Sequence, residues 1–238
     1  MTQRNATARQ DDEPGLRELL DEQIRYYRAR AAEYDATSSP EGDPFAVDAE
    51  RMRSALRSLE PHGRILELAA GTGQWTGLLA AAATELTAID ASPEMLRLNA
   101  TRTADPRVRY EVADIFSLRP DASWDVVFFG FWLSHVPPAS FDGFWELVAG
   151  LVAPGGRAMF VDEGRHRHWK EDWLDRSRGL VRRRLRSGDA YRAVKVLWDA
   201  QDLAARLSDM GWDTRIEALG PFYWGVAAPS AAREARRR

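Results

Sequence analysis

The sequence predicts an α/β domain: a doubly wound, seven-stranded, mostly parallel sheet that ends in an antiparallel hairpin. Three observations lead there. Short apolar runs alternate with helix-like segments from residue 64 to residue 161, the pattern of parallel strands covered by helices on both faces. The first run leads straight into a glycine-containing turn within "ILELAAGTGQW" (65–75), where doubly wound sheets place a ligand. Near the end, runs 214–219 and 222–228 are separated only by Gly220 and Pro221, too little chain for a crossover between parallel neighbours.

Taken in order, residues 1–13 are polar and read as a disordered lead. Residues 14–44 read as an N-terminal helix and linker. Within them, Leu16, Leu19, Leu20, Ile24, Tyr27 and Ala31 recur at three and four over 15–35, the stripe of an amphipathic helix. "TSSPEGDP" (37–44) breaks that helix, and Asp43-Pro44 suits the start of another over 45–60. The main domain is expected over 45–228. Its strands are 64–68, 85–89, 107–112, 124–129 and 156–161; its helices are 74–83, 93–102 and 138–152, with Ser92-Pro93 as the cap of the second. The segment at about 163–197 is an insertion placed as a cap. Helix 199–212 and the closing hairpin follow, then a solvated tail over 229–238.

Composition narrows the function. A net charge of −3 over 238 residues gives no general attraction for nucleic acid. With no cysteine, thiolate metal sites and disulfides are excluded. No apolar run reaches the length of a membrane span, and no signal peptide precedes the domain, so a cytoplasmic protein with no membrane partner is expected.

The glycine turn matches the dinucleotide fingerprint at Gly71 and Gly73, but the third position is Thr76. Glu67, just before the turn, would repel a pyrophosphate and suits a cation such as a sulfonium or ammonium. Asp90 closes the second strand, where a carboxylate accepts from ribose hydroxyls. Asp114 closes the third, placed to accept from an exocyclic amine. Three acids at successive strand ends describe a nucleoside with a cationic attachment and no phosphate.

On these residues the chain resembles the class I S-adenosylmethionine-dependent methyltransferases. "ELAAGTG" matches their acid-x-G-x-G-x-G motif, with Ala69 in place of the first glycine. Asp90 and Asp114 match the ribose and adenine acids. "WDVVFFGFWLSHVPP" matches the fourth-strand region, "LVAPGGRAMFV" the turn into the fifth, and 214–228 the terminal hairpin. The resemblance spans roughly 20–228 and implies a Rossmann-like fold with S-adenosyl-L-methionine as cofactor.

It also implies the site. Glu67, Ala69, Gly71, Gly73 and Trp75 come from the first turn. Asp90, Ala91 and Met95 follow the second strand, Ala113, Asp114 and Ile115 the third, Gly130 and Phe131 the fourth. Tyr27 and Arg30, on one face of the lid helix, are placed near the methionine carboxylate. Trp132, His135, Trp169, Trp173 and Tyr223 are assigned to the acceptor pocket, with His135 as the candidate base or, equally, a histidine that closes its loop. The expected reaction is methyl transfer to an O or N atom, or to C, of a small aromatic or apolar metabolite of secondary metabolism, by a monomer or homodimer.

From Arg165 to Arg186 nine basic residues face three acids, which suits a cap that binds an anionic group or simply a solvated helix face. His166 and His168 read as surface residues, so no metal is assigned. Two alternatives remain at this point: a non-catalytic module or partner subunit that binds the same cofactor, and, more weakly, a nicotinamide-dependent oxidoreductase.

Overall fold

The computed structural model describes residues 15–38, 46–119, 121–165 and 171–235. The expected lead 1–13, most of the linker, His166, His168, Trp169 and residues 236–238 lie outside the described residues. Five strands form the parallel part of a seven-stranded sheet: β1 (Gly63–Leu68), β2 (Ala83–Asp90), β3 (Val108–Val112), β4 (Trp124–Gly130) and β5 (Val152–Glu163). The hairpin of β9 (Trp212–Leu219) and β10 (Phe222–Pro229) completes it. The order is β3-β2-β1-β4-β5-β10-β9, with β10 antiparallel to both neighbours. The order therefore reverses between β1 and β4, and the carboxyl ends of these strands open on the crevice where such sheets bind ligands.

Helices cover both faces. Met52 and Leu56 of α3 (Ala46–Ser58), Leu79 of α4 (Thr76–Ala82) and Leu96 of α5 (Pro93–Thr103) pack on Ile65, Phe128 and Met159. On the other side, Phe144 and Trp145 of α6 (Phe141–Leu151) and Leu203 and Leu207 of α7 (Ala200–Asp209) pack on Leu66, Phe129 and Phe160. Strand side chains alternate between the faces, so adjacent residues such as Phe128 and Phe129 serve different cores. Ser92 caps α5 by accepting from the Met95 amide at 3.2 Å, with Pro93 at the first turn. Helix α4 is shorter than its apolar run implied, because the chain turns extended at Ala83 and enters β2 directly.

Two regions depart from the sequence reading. The arginine-rich insertion forms a sheet and not the solvated helix face that was one of its two readings: β6 (Asp172–Asp175), β7 (Leu180–Arg184) and β8 (Ala190–Val194) pair antiparallel. Val181, Ala193 and Val194 are its buried residues, too few to show a period in so basic a stretch. The tail is also not wholly solvated. In α8 (Ala231–Ala235) Arg233 donates to the Met210 carbonyl at 2.6 Å and to Glu146 at 2.6 Å.

The N-terminal helix α1 (Leu16–Arg30) continues through a 3₁₀ turn, Ala31–Glu33, into α2 (Tyr34–Ser38). It lies across the open end of the sheet, strapped on both flanks. Arg28 pairs with Glu94 of α5 at 3.1 Å, and Asp35 holds the Thr72 hydroxyl at 2.8 Å and the Arg102 guanidinium. On the other flank Arg192 of β8 binds Glu22 at 2.7 Å and Glu18 at 3.0 Å.

Candidate active site

Under α1 lies an open cavity lined mostly by apolar and aromatic side chains with a few polar groups, the make-up of a small-molecule site. Its floor is the carboxyl edge of β1, β2 and β4: Ala69, Gly71, Asp90, Ala91, Gly130 and Phe131. Met95, Asp114, Ile115 and Phe116 close one side, Trp132 and His135 another, and Leu20, Gln23, Ile24, Tyr27 and Tyr34 the roof. Among the described lining residues the charged ones are two carboxylates, Asp90 and Asp114. Among the described residues no lysine or arginine lines it to meet a pyrophosphate; the lining suits a nucleoside of positive or neutral charge.

Strand β1 ends on strained backbone. Ala69 has φ +51, and Phe131 after β4 has φ +55, a region that costs a non-glycine residue about 1–2 kcal/mol. Gly71 follows at φ +53, and its amide donates to Asp90 Oδ2 at 2.9 Å. Asp90 Oδ1 accepts from the Ser92 amide at 2.8 Å. The one carboxylate thus ties the glycine turn to the start of α5. Burial pushes its pKa up to about 6, although the two amides oppose the shift. Asp114 accepts from the Phe116 amide at 3.1 Å and the Ser117 hydroxyl at 3.1 Å.

Several expected residues stand elsewhere. Glu67 is 1% exposed and does not line the cavity. Strand alternation sends it to the face of Ile65, where it accepts from Thr76 Oγ1 at 2.7 Å; Thr76 in turn accepts from Asn99 Nδ2 at 2.8 Å. Burial, with Asp90 nearby, pushes its pKa up to about 8 despite the Thr76 bond. It stands behind the turn and not on the cavity wall. Gly73 is also behind the turn: a side chain there would strike Asn99, 2.6 Å from the Cβ position. Trp75 is a core residue, packed on Phe128 and Phe131 at centroid distances of 5.9 and 6.2 Å.

Arg30 turns away from the cavity. Its guanidinium donates to Thr37 Oγ1 at 2.9 Å and Ser38 Oγ at 3.1 Å and lies 4.6 Å from the Tyr34 ring centroid. Ala113 is not in the lining, since its amide pairs with the Asp90 carbonyl at 3.1 Å as part of the sheet edge. Tyr223 is 1% exposed within the aromatic core beside Phe160. Trp173 sits on β6, away from the lining, with Arg176 5.8 Å from its ring centroid.

His135 does reach the cavity, and both ring nitrogens are engaged. Nδ1 lies 2.8 Å from the Val194 carbonyl, and Nε2 lies 2.9 Å from the Tyr27 hydroxyl. Burial, then the charges of Lys195 and Arg183, hold the imidazole well below its usual pKa. Gln23, 2% exposed, clasps the same joint: its Oε1 accepts from the Val194 amide at 2.8 Å and its Nε2 donates to the His135 carbonyl at 3.4 Å. The sequence reading missed Gln23, Leu20, Ile24, Tyr34, Ser92 and Phe116 as lining residues. Gln23 left a signal: it is a polar residue at the spacing of the apolar stripe that includes Leu16, Leu20 and Tyr27.

Fold and cavity together define a nucleoside-binding doubly wound domain, and comparison with known proteins identifies the kind. A family model described as a methyltransferase domain matches residues 65–156. DhpI, solved in a complex with SAH, is 40% identical, covers 90% of this chain and 98% of its own, and superposes with a TM-score of 0.76. The DhpI-SAM-HEP complex is also 40% identical, over 89% of this chain and 98% of its own, with a TM-score of 0.77. A demethylmenaquinone methyltransferase of Clavibacter sepedonicus is 39% identical over 101 residues, 42% of this chain and 40% of that protein. The PH0226 protein of Pyrococcus horikoshii OT3, at 19% identity and TM-score 0.64 over 87% of this chain and 99% of its own, shares the fold. The chain belongs to the class I S-adenosylmethionine-dependent methyltransferases, and its cofactor is S-adenosylmethionine.

Proposed function

We propose that the enzyme methylates an O or N atom, or a carbon, of a small, largely apolar or aromatic metabolite bound beside the cofactor. The observation that carries this reading is the aromatic and apolar share of the cavity lining. Tyr27, Tyr34, Phe116, Phe131 and Trp132 surround one cavity with Leu20 and Ile24, and such a lining binds flat apolar groups. S-adenosylmethionine supplies a methyl group on a sulfonium sulfur. In this reading Asp90 holds the ribose, Asp114 and Ile115 border the adenine, and the backbone of Ala69 and Gly71 allows close approach. Helix α1 excludes water and aligns the two partners, and alignment of this kind is worth up to ~7–11 kcal/mol in the best cases. His135 presents no free nitrogen to an acceptor, so in this reading it acts through Tyr27 and not as a direct base.

A negatively charged acceptor is the second reading. Arg183 and Lys195 favour it, because their charges reach His135 from the inserted sheet. Both are already paired, Arg183 with Glu171 at 2.5 Å and Lys195 with Glu163 at 2.7 Å, so the neutral acceptor is preferred. The test is transfer of a labelled methyl from S-adenosylmethionine to a panel of neutral aromatic, apolar and anionic compounds. HEP, named with SAM in the DhpI complex, heads the panel. Transfer to neutral aromatic members supports the first reading, transfer confined to anions the second. No transfer despite bound cofactor contradicts both.

A further inference from the structure

The hydrogen bonds around His135 have a fixed direction. The Val194 carbonyl only accepts, so Nδ1, 2.8 Å away, carries the proton. Nε2 of the neutral ring is then an acceptor, and the Tyr27 hydroxyl 2.9 Å from it must donate. Tyr27 has one proton, and it is spent on His135. What Tyr27 turns toward the cavity is oxygen lone pairs alone. A carboxylate there would meet repulsion; a positively polarised group would be accepted.

We propose that Tyr27 is a specificity-determining residue that reads the charge of the cofactor's sulfur, favouring the methylated sulfonium over the neutral thioether. This rests on the reading of the cavity as the cofactor site, and it moves Tyr27 from the methionine carboxylate to the methyl-bearing centre. His135 is its positioning residue. The ring stays neutral beside an incoming cation because burial and two nearby cations outweigh the groups that favour a charge. Lys195, which follows β8, and Arg183 of β7 oppose protonation; the Val194 carbonyl and Glu163 of β5 favour it; burial outweighs them. Around Tyr27 itself stand Tyr26, Arg30 and Tyr34 from its own segment and Arg183 from β7, and burial keeps its proton in place. Gln23 fixes the backbone on both sides of the pair.

The test uses three defined ligands in calorimetric titrations at pH 7.5: S-adenosylmethionine, S-adenosylhomocysteine and sinefungin, in which an amine-bearing carbon replaces the methylated sulfur. In Tyr27→Phe the affinity for sinefungin is expected to fall about tenfold or more, the scale of a hydrogen bond to a charged group. That for S-adenosylmethionine falls severalfold, the scale of polarised C–H contacts. That for S-adenosylhomocysteine stays within about twofold, which also reports an intact fold. Equal losses for all three, or none, overturn the proposal. Nitrogen NMR of labelled histidine adds an independent arm: His135 is expected in the Nδ1–H tautomer and not to titrate between pH 6 and 8. An Nε2–H tautomer, or titration near 6.5, overturns it. If the wild-type protein binds none of the ligands, it is the cofactor site that fails, a result distinct from any pattern among the variants.

Discussion

Glu67 shows how one side chain can be right in kind and different in place. Its place at the end of β1 suggested a carboxylate facing the ligand, yet the fold keeps it behind the turn with Thr76. Its folded pKa of about 8 lies above the ordinary carboxylate range, so the folded state holds a proton that the unfolded chain loses first. Stability from this group is full below the unfolded pKa and is lost as pH rises toward 8. Asp90 has the same sign but finishes near pH 6, so the interval from about 6 to 8 belongs more to Glu67. Denaturant unfolding of the wild type should lose up to roughly 1.4 kcal/mol per pH unit there, and Glu67→Gln should flatten that slope. Parallel slopes would show that Glu67 is ionised in the fold. Ala69 makes a simpler point. At φ +51 it pays a cost glycine does not, so Ala69→Gly should stabilise the fold by about 1 kcal/mol without loss of cofactor affinity. A destabilised variant would mean that the alanine methyl contributes packing that outweighs the strain.

At the scale of elements, the joint between α1, the His135 turn and β8 governs the roof of the cavity. Gln23 satisfies the buried Val194 amide and supports the His135 carbonyl. Gln23→Leu keeps the volume and removes both bonds, leaving an unpaired amide that costs about 1–3 kcal/mol. Hydrogen exchange should report lost protection at Val194 and along α1, while the protection of β1 and β4 is unchanged. Uniform loss across the sheet would place Gln23 in the global core and not in a roof that opens separately. Strands such as β1, β4 and β5 were legible from sequence because each is a run of mostly apolar, buried residues, and α5 because Ser92-Pro93 marks its start. The inserted sheet was not. Its strands are four or five residues long and hold three buried apolar side chains among arginines, and the pairing of β6, β7 and β8 is a tertiary outcome that no local period records.

For the whole molecule, topology brings the site together. The reversal of strand order between β1 and β4 gathers turns separated by many residues, and α1 closes over them from the far end of the chain. Asp90, Asp114, Ala69, Gly71, Phe131 and His135 line the cavity, and counting strand ends along the sequence leads to them. Arg30, Trp75, Trp173 and Tyr223 stand off the cavity lining, because which way a side chain turns depends on packing partners, such as Phe128 for Trp75 or Phe160 for Tyr223, that are distant in sequence. The central claim is that Asp90 anchors the cofactor in the cavity beneath α1. Titration calorimetry of S-adenosylhomocysteine against the wild type and Asp90→Ala at pH 7.5 tests it most directly. The wild type should bind one equivalent, and the variant, with unchanged helical content, should bind at least about tenfold more weakly; equal affinity in the two proteins would contradict the assignment.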